Sequence, residues 1–172
     1  IGYEALTNNT TAGNNVAIGK DALRANTTGN TNVAIGTDAM TTNVAADRNV
    51  AIGEQALQNM TAATSTDTYN IGIGYNAGLA VTTGIRNTLI GGLAGDALTT
   101  ANNNTAVGQA ALTTNTTGAS NTAVGQFALG SNTTASNNTA VGGDALGANT
   151  TGTANTFIGS LCGDNAQTVS YS

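Results

Sequence analysis

A five-residue phrase, Asn-Thr-Ala-Val-Gly, is the feature that most constrains this chain. It occurs three times unchanged, at residues 104–108, 121–125 and 138–142. Close variants run along the rest of the sequence, and their closing glycines lie 17 residues apart except for one interval of 21. A fixed period of this length is typical of a solenoid, in which each repeat forms one coil and buries its apolar side only by stacking on the next.

Each repeat can be numbered from its closing glycine, taken as position 0. The average unit then reads Asn-Thr/Val-Ala-Ile/Val-Gly-x-x-Ala-Leu-x-x-Asn-Thr-Thr-Gly/Ala-x-x. Position −1 is always Ile or Val, and β-branched residues favour a pleated strand. Strand alternation places positions −3 and −1 on one face and position −2 on the other. The structural markers of the three identical repeats are Asn104, Val107, Gly108, Ala111, Leu112, Asn121, Val124, Gly125, Ala128, Leu129, Asn138, Val141 and Gly142.

A helical repeat is excluded by the same unit. Asn, Thr and Gly recur too densely for helices of useful length, and 17 residues are too few for two helices with their turns. The chain also lacks proline, which would interrupt a ladder of stacked coils. The sequence therefore predicts an all-β parallel β-solenoid (β-roll) of about ten 17-residue coils, or a rod roughly 48 Å long.

Several columns of the repeat predict how the coils pack. The Asn at position −4 is expected to form a ladder along the rod or to hold a turn, and the glycine to mark a positive-φ corner or a place without room for a Cβ atom. Position +3 is Ala except at Cys162, and small residues recur at position +10, which indicates a close neighbour in the same coil or in another copy. Leu or Met at position +4 accompanies Asn at +7, except that Leu57 accompanies Met60. Gly78, Gly95 and Gly163 at position +4 accompany Val81, Leu98 and Ala166 at +7.

One irregularity interrupts the period. Residues 64–69 stand where other coils have two residues, and we expect a loop there that bulges from the rod. A tolerated insertion is favoured over a ligand-binding bulge, because insertions in solenoids map to loops. Residues 1–172 are thus interpreted as one repeat array, excerpted from a longer chain.

Most kinds of chemistry find no support in the composition. Histidine is absent, the net charge is −5 and charged residues make up 8%. The basic residues form no cluster in the sequence, so nothing indicates nucleic-acid binding. There is no long apolar run, so nothing indicates membrane insertion. Cys162 is expected to replace a small buried Ala rather than to bridge chains. The acidic side chains at position +2 are interpreted as solvated: Glu4, Asp21, Asp38 and Asp144. We expect no enzymatic activity, metal or cofactor.

The stretch 121–129 followed by Asn132-Thr133-Thr134 resembles repeats of bacteriophage tail-fibre proteins and large bacterial surface proteins. It is also similar to the Ala-Ile-Gly repeats of trimeric autotransporter adhesin heads, although that repeat is shorter. The resemblance covers nearly the whole chain. It implies parallel β-rolls with three chains side by side, projecting from a virion or bacterial surface to reach a host.

Two classes of function follow. The first is a homotrimeric extracellular fibre segment, structural or adhesive, whose small uncharged faces pack against two other copies and whose other partner is a cell-surface glycan or receptor. The second is a monomeric solenoid that binds ice or carbohydrate through stacked Thr pairs at positions +8 and +9. These Thr pairs are Thr10-Thr11, Thr27-Thr28, Thr116-Thr117, Thr133-Thr134 and Thr150-Thr151. A filament of rods stacked end to end is a third alternative.

Overall fold

Positions −3 to −1 of the repeat form short strands that stack into one parallel sheet. The computed structural model describes residues 1–62 and 64–171. Over these residues the chain is an all-β parallel β-solenoid of about eight turns with a repeat of about 17 residues, and the described part contains no helix. The strands are β1 (Val16–Ile18), β2 (Val33–Ile35), β3 (Ala46–Asp47), β4 (Val50–Ile52), β5 (Thr66–Asp67), β6 (Ile71–Ile73), β7 (Thr88–Ile90), β8 (Thr105–Val107), β9 (Thr122–Val124), β10 (Thr139–Val141) and β11 (Thr156–Ile158).

Nine of these strands make the main sheet, in the order β1-β2-β4-β6-β7-β8-β9-β10-β11. Equivalent repeat positions pair throughout, as Thr105 does with Thr122 and Val107 with Val124. The register therefore places every repeat position in a straight column along the rod. The remaining strands, β3 and β5, form a separate two-stranded sheet.

The rest of each coil consists of turns in which right- and left-handed residues alternate. Positions −5, +2 and +4 have positive φ even where the residue is Leu, Met or Phe, as at Phe127 (φ 54°) and Leu129 (φ 51°). Backbone bonds alternate in the same way: the Ala128 N–H donates to Gly125 O within the coil, and the Leu129 N–H to Ala145 O of the next coil. Stacking thus imposes a conformation that isolated residues of these types disfavour.

The closing glycine combines both properties expected of it. Gly108 has φ 137°, and a Cβ atom added there would lie 2.5 Å from the carbonyl oxygen of Gly125 in the next coil. Its backbone meets the next repeat closely because the strand ends in a corner at this point. A side chain would therefore force both a disfavoured φ and a steric clash.

The interior is one thin line of small apolar residues between the walls of the coil. Ala at positions −2 and +3 is almost completely buried, and so is Leu at +4, as at Ala123, Ala128 and Leu129. The close neighbours of these small residues belong to the same chain. The Ala columns are consequently not available for contacts with another copy, which corrects the expectation that small-residue faces mediate such contacts.

Packing density explains why the residues at positions +4 and +7 vary together, and the residue at position −2 also takes part. Leu89 replaces the usual Ala at position −2, and its Cδ1 lies 2.7 Å from where a Cβ of Gly78 would be. Its Cδ2 lies 2.8 Å from the equivalent point at Gly95. Phe157 fills the space beside Gly163 in the same way. A large residue at −2 therefore occupies the volume that a glycine at +4 leaves, as close packing requires.

Two columns of buried Asn hold the coil closed. At position −4, the Asn121 Oδ1 accepts the backbone N–H of Asn138 (3.0 Å), while its Nδ2 donates to Ala135 O of the same coil (2.9 Å). At position +7, Asn115 exchanges two hydrogen bonds with the backbone of Gly118 (2.8 and 3.0 Å). Each column serves as a ladder along the rod and as a local clamp. Both of the roles considered for Asn are thus present, and the buried amides are satisfied.

Candidate interaction surface

The outward side of the nine-stranded sheet is a flat surface made almost entirely of β-branched residues. The residues concerned are two from each strand, at positions −3 and −1, and none of them is charged. They are partly to well exposed, with Val16 at 43% and Ile18 at 41%. We call this surface the strand face: Val16, Ile18, Val33, Ile35, Val50, Ile52, Ile71, Ile73, Thr88, Ile90, Thr105, Val107, Thr122, Val124, Thr139, Val141, Thr156 and Ile158.

The strand face changes character half-way along the rod. In β1, β2, β4 and β6 both outward positions are Val or Ile, whereas from β7 to β11 position −3 is Thr. The hydroxyls of Thr105, Thr122 and Thr139 make no hydrogen bond to any residue in the described part of the chain. One half of the face is therefore purely apolar, and the other offers hydroxyl groups beside a column of methyl groups.

The Thr column at position +8 is used differently. Its hydroxyls donate to the carbonyl of the equivalent residue in the next coil, as Thr116 does to Thr133 (3.2 Å) and Thr133 to Thr150 (3.2 Å). These hydroxyl protons stabilise the stack and are not free to bind a ligand. Of the Thr pairs considered from the sequence for ice or carbohydrate binding, the +8 members therefore keep only acceptor capacity. The +9 members, such as Thr117 and Thr134, are exposed, and their hydroxyls donate to no residue in the described part of the chain.

The markers of the identical repeats occupy three different environments. Their Asn, Ala and Leu members are buried, and their glycines lie at the corner after the strand. Val107, Val124 and Val141 lie on the strand face. The valines are thus the markers that place a side chain on the candidate surface, while the others hold the scaffold in shape.

The irregular segment 64–69 is tied to the preceding coil. Within it, β5 pairs with β3 through Thr66↔Ala46 and Asp67↔Asp47. The carboxylate of Asp47, 8% exposed, accepts hydrogen bonds from the Ser65 hydroxyl and the backbone of Asn30. The buried Thr68 hydroxyl donates to Asn49 Oδ1 at 2.7 Å. The loop expected here thus includes a short paired strand with specific anchors.

These anchors present a group of side chains that we call the Arg–Tyr cluster: Arg48, Asp67, Tyr69 and Arg86. Arg48 Nε donates to Asp67 Oδ1 at 2.7 Å, and the Tyr69 hydroxyl donates to Asp67 Oδ2 at 3.0 Å. The Arg48 guanidinium carbon is 5.9 Å from the Tyr69 ring centroid, within the range of a cation–π contact. The hydrogen bond from Arg48 lowers the pKa of Asp67, and Asp67 in turn raises the pKa of Arg48.

Arg48, Tyr69 and Arg86 all occupy position −5 in successive coils, so they form one exposed column beside the strand face. The alignment is hidden in the sequence when positions are counted forward from Gly53 through the insertion. Counting backward from Gly74 would have shown it. Arg86 makes no ion pair with any described residue.

The acidic side chains at position +2 and Cys162 lie outside the strand face and the Arg–Tyr cluster. Asp21 is 8% exposed and lies near Lys20 (3.7 Å) and Arg24 (3.9 Å), and Arg24 also approaches Glu4 (3.8 Å). Asp38 and Asp144 are half-buried, and so is Cys162, in the column that is otherwise Ala. Asp144 and Asp164 border an open depression of about 340 Å³. Residues 1–62 and 64–171 contain no group of three or more acidic, His or Cys side chains that could hold a metal ion.

Comparisons with known proteins give no relative: neither a family model, a curated protein nor a solved structure matches the chain. Within the described residues, no helix has the length and apolar character needed to cross a bilayer.

Proposed function

We propose that this chain is a structural segment of an extracellular fibre, assembled as a homotrimer, that takes part in attachment of a phage tail or bacterial surface to a host. In this proposal the segment has no catalytic role. The carbonyl of Ile1 already accepts the N–H of Gly19 at 2.9 Å, so stacking extends beyond the first strand. About ten coils would give a rod roughly 48 Å long.

The observation that carries the proposal is the uncharged strand face. A soluble monomer normally distributes Lys, Arg, Glu and Asp over such a surface, and exposed apolar patches of several hundred Å² mark interaction sites. Nine strands at about 4.8 Å spacing make the face roughly 43 Å long. Each strand spans roughly 7 Å from position −3 to position −1, so the face covers roughly 300 Å², a size of apolar patch that is often functional on a protein surface.

The resemblance to tail-fibre and adhesin-head repeats supports the same assembly. Those repeats imply three parallel chains side by side, which is a closed cyclic arrangement. In this chain the strand face is the surface whose burial such an arrangement favours, because the Ala columns lie inside the coil.

The test is the mass of the purified segment in solution, measured by sedimentation equilibrium. We expect three times the chain mass of 16.8 kDa. Val33→Lys combined with Val124→Lys would place two charges on the strand face and reduce the mass to that of one chain, with an unchanged circular dichroism spectrum. Thr134→Lys, at an exposed site away from this face, is the matched control and should leave the mass unchanged.

A wild-type mass of one chain would contradict the trimer. It would favour the second function, a monomeric solenoid that binds ice or carbohydrate. The free hydroxyls of Thr105, Thr122 and Thr139 would then be the groups to substitute, rather than the Thr column at +8. A mass that increases with concentration beyond three chains would instead favour end-to-end filaments.

A further inference from the structure

We propose that the Arg–Tyr cluster binds an acidic sugar, with the sugar carboxylate on Arg86 and the sugar ring against Tyr69. The inference names a ligand class for the attachment role proposed above and depends on it in that sense. The cluster holds two of the three arginines of a chain whose net charge is −5.

Arg86 is the member suited to bind an anion. Its side chain is exposed, and it pairs with no acid among the described residues. Guanidinium groups bind carboxylates through two parallel hydrogen bonds, which are stronger than neutral ones. Arg48 is less suited, because its Nε already donates to Asp67 at 2.7 Å.

Tyr69 supplies the surface for the ring. It is 47% exposed and lies in the same column, one strand spacing (about 4.8 Å) before Arg86. An aromatic side chain combines a large apolar surface with a polar end, which suits a sugar ring with an apolar face and polar edges. An acidic sugar carries both the carboxylate and the ring, so it satisfies the two adjacent residues at once.

The cluster is held in place before any ligand arrives. Asp67 fixes Tyr69 through the phenol and Arg48 through Nε, and β5 is held by its pairing with β3. Asp47 below it is bonded on both carboxylate oxygens. Such pre-organisation lowers the entropy cost of binding. The remaining Arg48 N–H groups stay available to sugar hydroxyls.

The location is compatible with the proposed fibre. Position −5 lies two residues outside the first column of the strand face, at a positive-φ turn just before each strand. This is the rim of the surface that self-association would bury, where interfaces are polar and open to solvent. A sugar bound to the cluster and the neighbouring copies would therefore not compete for the same residues.

The experiment is isothermal titration calorimetry of the segment, at low ionic strength, with four oligosaccharides. Two contain glucuronic acid or sialic acid, and the other two are the same molecules with the carboxyl group reduced to an alcohol. We expect at least one acidic probe to bind about tenfold more tightly than its neutral counterpart. Arg86→Gln should remove this preference, Arg86→Lys should retain part of it, and Tyr69→Ala should weaken binding of the acidic probe.

Arg24→Gln, an arginine near Glu4 and Asp21 instead, is the matched control and should bind like the wild type. The proposal is overturned if no acidic probe binds, if the neutral probes bind equally well, or if Arg86→Gln changes nothing. Sedimentation of the same samples separates the two proposals. If a single-chain species binds an acidic sugar, the trimeric fibre is rejected and the sugar site is retained. If a trimer binds no probe, the sugar site is rejected and the trimeric fibre is retained.

Discussion

At the residue scale, the conformation of the repeat is decided by contacts along the rod rather than by local preference. Residues as different as Phe127, Leu129 and Asn137 adopt positive φ because the coils above and below dictate where their N–H and C=O groups point. The closing glycine is the position where no other residue can satisfy this demand, since its Cβ would meet backbone atoms.

Two glycines with contrasting surroundings test this point. Gly108→Ala introduces a Cβ 2.5 Å from Gly125 O at φ 137°. Strained backbone of about 1–3 kcal/mol and overpacking of about 1–3 kcal/mol should together lower the free energy of unfolding by roughly 3 kcal/mol. Gly92→Ala, whose Cβ would meet nothing within 4 Å, should change it by less than about 0.5 kcal/mol. Urea denaturation measures both, and equal effects would contradict the argument.

At the scale of the single coil, the interior is so thin that each one has a fixed volume to fill. Most coils fill it with Ala at −2 and Leu at +4, and the coil of Gly91 fills it with Leu89 and Leu98 around Gly95. The two solutions are alternatives, because the methyl groups of Leu89 and Leu98 lie where a side chain at position 95 would be.

Leu89→Ala should therefore leave a cavity and lower the free energy of unfolding by about 2–5 kcal/mol. Adding Gly95→Leu and Leu98→Asn rebuilds the common Ala/Leu/Asn combination in this coil and should restore part of this loss, because the space that Leu89 fills beside Gly78 stays empty. Gly95→Leu alone should destabilise, since it overpacks the coil. Thermal unfolding of the three variants measures the effect. A triple variant no more stable than Leu89→Ala would show that the two combinations are not equivalent.

At the scale of the whole molecule, the solenoid is nearly one-dimensional. Every pair of contacting strands in the described residues consists of neighbours in the same sheet, and no strand meets one further along the rod. Stability is then the sum of coil terms and nearest-neighbour terms. The effects of a change should fade with distance along the rod.

Hydrogen exchange of the Leu89→Ala variant tests this expectation. Amide protection should fall most in β6, β7 and β8, which border the cavity, and should remain close to the wild-type level in β1 and β11. A uniform fall across the nine strands would instead mean that the rod opens as a single cooperative unit. The wild-type protein at the same pH and temperature is the reference.

The period of 17, the β-branched position −1 and the lack of proline determined an all-β parallel solenoid, because each is a local property that recurs in every repeat. Three matters needed the tertiary structure. Strand alternation is symmetric, so only the narrow interior decided that Ala123 points inward and Val124 outward. Leu89 compensates for glycines in its own and in the preceding coil, a contact between residues distant in sequence. The Arg–Tyr cluster, finally, forms because the register shifts by one residue between Asp67, which pairs with Asp47, and Ile71, which pairs with Val50. This shift aligns Tyr69 with Arg48, and spacing alone does not say on which side of an insertion the count resumes.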